Sequence, residues 1–444
     1  MSLAEIAKVV GGALHGDAGS ARVRHVVIDS RAAGPHTLFA AIAGEHVDGH
    51  DYAPSVLALG GVGTLGSRVV GGPCIVVDDV TIALGRLARH QLDASTATVV
   101  AITGSQGKTS VKDLLAHVLA GAAPTVAPVG SFNNELGVPL TVLRLDEDTH
   151  YVVAEMGARG VGHIELLCRI APPSVAVVLN VGTAHIGEFG SPDAIAIAKG
   201  ELVESLTADG TAVLNADDPR VLAMRSRTTA EILTFGDAGD VRLGPVQVDG
   251  SGEPHFTLEH AGRSCDVHVP RVGAHHAINA AAAAAAAVAA GLDLADIATR
   301  LSSAAPESPM RMARSVRDDG LLVVNDAYNA NPESMAAALH AVAALPHRRK
   351  VAVLGEMLEL GDLSESAHRT IGRLARDLGY DRVVVVGSGA AAIAEGSGEI
   401  AEIVADVDVA IGTLSAWLTA DDVVLVKASR GCRLERVADG LLGR

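Results

Sequence analysis

The residues Thr103-Gly-Ser-Gln-Gly-Lys-Thr109 follow the β-branched run 99–102 and precede a helix-length segment that begins near Lys108. Backbone N–H groups in such a turn, together with the positive end of the helix, hold phosphate oxygens. In that reading Gly104, Ser105, Gln106, Gly107 and Ser110 belong to the cradle, Lys108 reaches the β and γ oxygens, and Thr109 meets Mg²⁺. The general P-loop pattern asks for glycine at position 102, where Ile102 stands. A chance Gly-Lys-Thr would carry no nucleotide, but strand, turn and helix fall in the order that the chemistry needs.

Two further strand ends carry groups that suit a phosphate-bound cation. Glu155 ends the apolar run 151–154, and the segment Asn180-Val-Gly-Thr-Ala-His185 ends the run 175–179. A carboxylate suits Mg²⁺ and an imidazole adds a nitrogen ligand, so Glu155 and His185 are expected as metal ligands rather than as ordinary strand-end groups. The chain has only six lysines, and Lys199 follows His185 by one helix. Where arginine is otherwise the default cation, a retained lysine points to a compact or deprotonatable amine. Lys8, Lys112 and Lys350 are expected to be plain solvated charges. Later, Asn325-Asp-Ala-Tyr-Asn-Ala-Asn-Pro332 closes another strand, and its amides and one carboxylate are what a ribose and an adenine edge require, although an Asn/Pro turn alone has a similar composition.

The elements that must position these groups alternate. Runs at 99–102, 152–154, 175–179 and 212–214 are each followed by a helical pattern, as in a mostly parallel sheet with helices on both faces. Residues 241–269 interrupt this with short runs separated by Gly, Pro and Asp, the pattern of hairpins. The runs 321–324, 351–354, 383–386 and 423–426 then resume the rhythm. A polar stretch at 91–97 and two prolines at 305–309 mark boundaries. The expectation is therefore an α/β chain of three domains: a small N-terminal α/β domain (1–94), a central, mostly parallel P-loop domain (95–309) and a C-terminal Rossmann-like domain (310–444). The length of 444 residues agrees with about three domains.

Composition excludes other classes. With 35 Lys+Arg against 52 Asp+Glu, the net charge of −17 argues against an extended nucleic-acid or anionic-membrane surface. Five Phe, four Tyr and one Trp are too few for base-stacking platforms. Cys74, Cys168, Cys265 and Cys432 lie far apart without a CxxC pair, and are read as reduced thiols. No secretory h-region is visible, and the most apolar stretch, 280–290, is about half of a bilayer span; it reads as a closely packed helix in a cytoplasmic protein.

In this order the segments resemble the Mur ligase family, the ATP-dependent amide ligases of peptidoglycan precursor synthesis. The resemblance runs through Asp29-Ser-Arg31, Asp48-Gly-His50, the phosphate loop, Asn133-Asn-Glu-Leu-Gly-Val-Pro139, Glu155-Met-Gly157, Asn180 to Gly190 and Ala198-Lys-Gly-Glu201. It continues through Asn215-Ala-Asp-Asp-Pro219, Gly273-Ala-His275 with Asn279, Tyr328-Asn-Ala-Asn-Pro332, Gly355-Glu-Met-Leu-Glu-Leu-Gly361 and Lys427-Ala-Ser-Arg430. Against the family pattern, Asn325 replaces a frequent Asp, His276 a frequent Asn, and Met310 and Ala428 frequent glycines.

The resemblance implies ATP and two Mg²⁺ as cofactors, and a UDP-N-acetylmuramoyl-tripeptide and D-alanyl-D-alanine as partners, with a monomer expected. It places Ser30 and Arg31 near the uridine or diphosphate, Asn279, Asp326 and Asn329 at adenine and ribose, and Arg311 at the γ-phosphate after domain closure. It implies that the sugar-peptide carboxylate attacks the γ-phosphate and that the dipeptide amine then displaces phosphate from the acyl phosphate. Lys199 is expected to act as a carbamate ligand of the second Mg²⁺, because a shielded amine captures CO₂ and a guanidinium does not; the alternative is an ammonium paired with Glu155, Glu201 or a phosphate. The ligase that adds the third amino acid is the competing reading within the family, but its Asp-Asn-Pro-Arg type segment is absent from the sequence. Folylpolyglutamate synthase would not need the Asp29-Ser-Arg31 domain, and a P-loop NTPase switch would hydrolyse nucleotide without an amine.

Overall fold

Alternating β-branched and helical segments fold into an α/β chain with three sheets of five, ten and six strands, so the expected fold class is borne out. The computed structural model describes residues 1–444 except 18, 45, 185, 306, 307, 347 and 348. It divides into two compact units, one of residues 1–101, 122–157 and 162–174, the other of 102–121, 158–161 and 175–444.

In the first unit, the strands His25–Val27, Thr37–Ala40, Gly63–Gly66 and Cys74–Val76 run parallel, and Ala13–His15 closes the edge antiparallel. The helix Leu3–Val10 starts at a capping box in which Ser2 and Glu5 satisfy each other's backbone N–H groups. Such a cap contributes about 1 kcal/mol. Asp79 caps the helix Val80–Asp93 in a similar way, through the N–H of Ile82. The strand Tyr151–Glu155 pairs in parallel with Thr125–Val126 and is buried from Val152 to Glu155.

In the second unit, Val175–Val178, Thr211–Asn215, Glu231–Gly236 and Val241–Leu243 follow one another in parallel. The sheet then turns antiparallel through Pro254–His260, with Gln247–Val248 and Arg263–His268, which are the hairpins expected over 241–269. The helix His275–Ala289 buries the whole run Ala280–Ala287 and packs against Lys108–Ala120. Alanine is the strongest helix former, and its small side chain lets neighbouring backbones approach closely.

The six-stranded sheet of this unit runs Ala313–Val316, Leu322–Asn325, Asp422–Lys427, Arg349–Leu354, Arg382–Val386, Ala401–Val404. Only the first pairing is antiparallel. Separate apolar clusters cover its two faces, one including Met335, Leu339 and Ile371 and the other including Leu414, Val437 and Leu441. Because the strand Asp422–Lys427, late in the chain, inserts beside Leu322–Asn325, the carboxyl ends of two distant segments become neighbours.

Lys112 corrects the expectation of a solvated charge. Its side chain is buried and ion-paired with Asp113, and Arg271 Nη1 stands 3.9 Å from the Asp113 carboxylate. The helix Lys108–Ala120 is covered by Ala-rich and Leu294–Leu301 helices, so this turn lacks a solvated face, and a buried cation requires a carboxylate partner.

Candidate functional site

The strand Thr98–Thr103 ends in a turn whose last residue, Gly107, has φ +80° and directly precedes the helix Lys108–Ala120. Glycine is required there twice over: the backbone is left-handed, and an added Cβ would stand 2.7 Å from Asn279 Oδ1. Asn279, expected at the nucleotide, is thus brought against the phosphate loop from the helix His275–Ala289. Lys108 Nζ donates to the carbonyl of Gly104 at 2.6 Å, which folds the ammonium back over the loop.

Asn180 fixes the loop from the next strand end. Its Oδ1 accepts from Gln106 N–H at 3.0 Å, its Nδ2 donates to the Gln106 carbonyl at 3.2 Å, and its own carbonyl accepts from Ser105 N–H at 3.2 Å. Gly182 N–H donates to Ser105 Oγ at 2.9 Å. Glu333, from the first turn of the helix Pro332–Ala343, accepts from Thr183 N–H and Oγ1, both at 2.9 Å. Neither Asn180 nor Glu333 was expected as a site residue; an amide closing a strand in Asn-Val-Gly was the available sign of the first, while the second has no local sign.

Arg311 reaches the same place from the bend that leads into the strand Ala313–Val316. Its Nη2 donates to Thr109 Oγ1 at 3.2 Å, and its guanidinium lies 4.2 Å over the Tyr328 ring. The flanking residues Met310 and Met312 have φ of +57° and +51°, a strained geometry that presents the side chain between them. The glycine frequent at position 310 would adopt that conformation without strain. Ala428 fits because residue 355 is glycine: a Cβ there would stand 2.8 Å from the Ala428 methyl.

Asp326 is fully engaged. Its Oδ1 accepts from Met312 N–H at 3.0 Å, and its Oδ2 accepts from Lys427 Nζ at 2.6 Å. Lys427 is buried and also donates to the Asn329 carbonyl at 2.9 Å. Burial lowers the Lys427 pKa, with the Asp326 charge opposing it. Desolvation pushes the nearby His275 down to about 4. Asn329 is exposed, and its side-chain oxygen accepts from Ala330 N–H. Lys427 is quoted from sequence only within the segment Lys427-Ala-Ser-Arg430, with no role given to it there.

Lys199, on the helix Pro192–Glu204, is 4 % exposed and makes no hydrogen bond or ion pair with a described residue. Burial, and then the charge of Lys108, depress its pKa well below that of an ordinary lysine. His185, expected as a metal ligand, lies outside the described residues.

In the first unit, Glu155 is 1 % exposed at the end of its strand. Its Oε1 accepts from Asn133 Nδ2 at 2.8 Å, whereas Oε2 is buried without a hydrogen-bond partner among the described residues. A buried carboxylate oxygen left over in this way fits a cation ligand. Asp29 caps the short turn Ser30–Ala32 and pairs with the exposed Arg31 guanidinium at 2.7 Å; these hydrogen bonds hold the Asp29 carboxyl down to about 2. His50, buried, accepts from Ser67 N–H at Nε2 and bonds Asp48 through Nδ1 at 2.6 Å. A cavity of about 400 Å³ is lined by His25, Val27, Ala32, Thr37, Leu143 and Arg144.

A P-loop at a strand end, facing an arginine from a separate sheet, defines a nucleotide-dependent α/β enzyme, and the chain belongs to the Mur ligase family. Residues 22–91 match the Mur ligase family catalytic domain, 102–287 the Mur ligase middle domain and 310–430 the Mur ligase glutamate ligase domain. Among curated relatives, the UDP-N-acetylmuramoyl-tripeptide–D-alanyl-D-alanine ligase of Mycobacterium tuberculosis is 45% identical, covering 100% of this chain and 98% of that protein. A crystal structure of MurF from Acinetobacter baumannii superposes with a TM-score of 0.90 at 31% identity, over 100% of this chain and 99% of that one. MurF ligase from Thermotoga maritima, crystallised with ADP, gives 0.82 at 30% identity, over 95% and 97%.

Proposed function

We propose that the chain joins D-alanyl-D-alanine to a UDP-N-acetylmuramoyl-tripeptide with conversion of ATP to ADP and phosphate. The observation that carries this is Arg311 at Thr109 Oγ1, because a second cation brought to the phosphate loop from another sheet serves phosphoryl transfer. The relatives named for this reaction supply the substrates.

The sugar-peptide carboxylate attacks the γ-phosphate, forming a C–O–P acyl phosphate as the bond to ADP breaks. The dipeptide amine then adds to the acyl carbon, and the tetrahedral intermediate expels phosphate. Two anions must meet in the first step, so Lys108 and Arg311 offset their repulsion where charge spreads over the transferring group. Holding both reactants in line contributes much of the remaining acceleration. Asn180 takes up the Ser105 and Gln106 N–H groups and so fixes the shape of the loop, leaving the start of the helix Lys108–Ala120 to face phosphate, and Asn279 stands beside the loop for the nucleotide.

Mg²⁺ would neutralise phosphate charge when bound. Thr109, Glu155, His185 and Lys199 are its candidate ligands; a Glu155 oxygen without a hydrogen-bond partner among the described residues, and a buried Lys199 amine whose pKa burial lowers, favour this. The uncharged amine is the form that captures CO₂, and burial, which favours that form, supports the reading of Lys199 as a carbamate. Segment 1–94 would bind the UDP-sugar, through Ser30, Arg31 and the cavity beside them, 95–309 the ATP, and 310–444 would close over the nucleotide.

The test is amine selectivity. D-Ala-D-Ala should support turnover, and free diamino acids should not; comparable turnover with both would transfer the assignment to the preceding ligation step.

A further inference from the structure

The antiparallel part of the second unit holds a side-chain cluster that plays no part in the nucleotide cradle. His255 and His268 are register partners on Pro254–His260 and Arg263–His268, so their side chains leave the sheet on one face. Their rings stack 4.3 Å apart at 12°. Asp249 stands in the preceding turn, where its Oδ1 accepts from the N–H groups of Ser251 at 2.8 Å and Glu253 at 3.0 Å. This fixes the carboxylate and leaves Oδ2 3.1 Å from His255 Nε2. One ligand atom from each of Asp249, His255 and His268 lies within 4.8 Å of the other two.

We propose that Asp249, His255 and His268 form a site for a divalent transition-metal ion of the zinc type, with one position left to water. Two imidazoles and one carboxylate suit Zn²⁺, Ni²⁺ or Cu²⁺, whereas Mg²⁺ prefers oxygen ligands. Zinc with nitrogen and oxygen ligands at roughly 2.0–2.2 Å holds ligand atoms about 3.3–3.6 Å apart in a tetrahedron; Asp249 Oδ2 and His255 Nε2 are already that close, at 3.1 Å, and rotation of half-exposed side chains brings His268 into the same range. Glu253 Oε2 already holds His268 Nε2 at 2.8 Å. A carboxylate on a ring nitrogen sets the tautomer and orientation of ligating histidines. Two isolated surface ion pairs would contribute little by themselves. Arg314 lies 3.4 Å from the other Glu253 oxygen and donates to the Ser251 carbonyl at 3.1 Å, so a bound ion would brace the hairpin that Arg314 ties to the strand Ala313–Val316.

The experiment uses untagged, EDTA-stripped full-length protein, titrated with Zn²⁺ against a chromophoric chelator in excess Mg²⁺. One equivalent should bind, and His255→Ala and His268→Ala should each weaken it about tenfold or more. Melting temperature in EDTA and Mg²⁺-supported ligation should stay at the parent values. Asp249→Asn, a conservative exposed change, gives a third reading should a histidine variant misfold. Zinc uptake equal in parent and variants, or no uptake by the parent at these chelator levels, would overturn the site.

Discussion

Arg311 and Thr109 are separated by 202 residues in sequence and joined by a 3.2 Å hydrogen bond, so a cation from the bend before the strand Ala313–Val316 stands at the residue that follows the P-loop lysine. Replacing Arg311 by Ala should lower kcat/KM about 10³-fold or more, the range for an arginine that stabilises transferring phosphate. Arg311→Lys should recover little of it, because an ammonium lacks the planar fork that both stacks on Tyr328 and reaches Thr109. Steady-state kinetics with a parallel melting curve check this; near-parent turnover in Arg311→Ala would remove the residue from the reaction.

Lys108→Ala should abolish ligation and leave the melting temperature close to that of the parent, because the ammonium rests on the Gly104 carbonyl at the loop and not in a core. Ligation near the parent rate would remove the P-loop from the mechanism.

Gly107→Ala should lose nucleotide binding as well as stability. The left-handed backbone costs about 1–2 kcal/mol for a residue with a Cβ, and the methyl must displace Asn279. Calorimetric titration with ADP is the readout, with unchanged affinity as the contrary result.

For Lys199, the carbamate assignment predicts that Lys199→Ala is inactive and regains activity on addition of short carboxylates, and that crystals grown with bicarbonate show an extra carboxyl on the amine. Burial, which lowers the pKa of this amine, favours its nucleophilic form. Bare amine density together with no carboxylate rescue would sink the carbamate while leaving the ligase assignment standing.

Stability should fall as the solution is acidified below pH 6.5. His276 is 2 % exposed, neither ring nitrogen has a hydrogen-bond partner among the described residues, and burial followed by the charges of His275 and Arg271 depresses its pKa well below 6.5. The unfolded chain therefore binds a proton that the folded chain refuses, and unfolding free energy rises with pH until the free imidazole value is passed. Denaturant midpoints between pH 7.5 and 5.5 should slope in that direction, and His276→Leu should reduce the slope, leaving the part that the buried His275 contributes.

How much was legible in the sequence follows from the range of each interaction. The phosphate loop, the strand ends and the hairpins at 241–269 are local chemistry, and each could be read from a short window. The Asn180 clamp joins residues 74 apart and the Glu333–Thr183 bond residues 150 apart, so they depend on strand order. The Asp326–Lys427 pair likewise requires that a strand from the end of the chain insert beside Leu322–Asn325. Lys112 was misread because a polar residue on a helix resembles a solvated one until the helices that cover it are known.

The central claim is tested most directly by mass spectrometry of a single reaction containing the protein, ATP, Mg²⁺, UDP-N-acetylmuramoyl-tripeptide and D-alanyl-D-alanine, alongside reactions lacking either co-substrate. One UDP-pentapeptide should form per ADP and phosphate, with both products requiring the complete mixture. ADP released at the same rate without the dipeptide, and no pentapeptide in the full reaction, would contradict the ligase account.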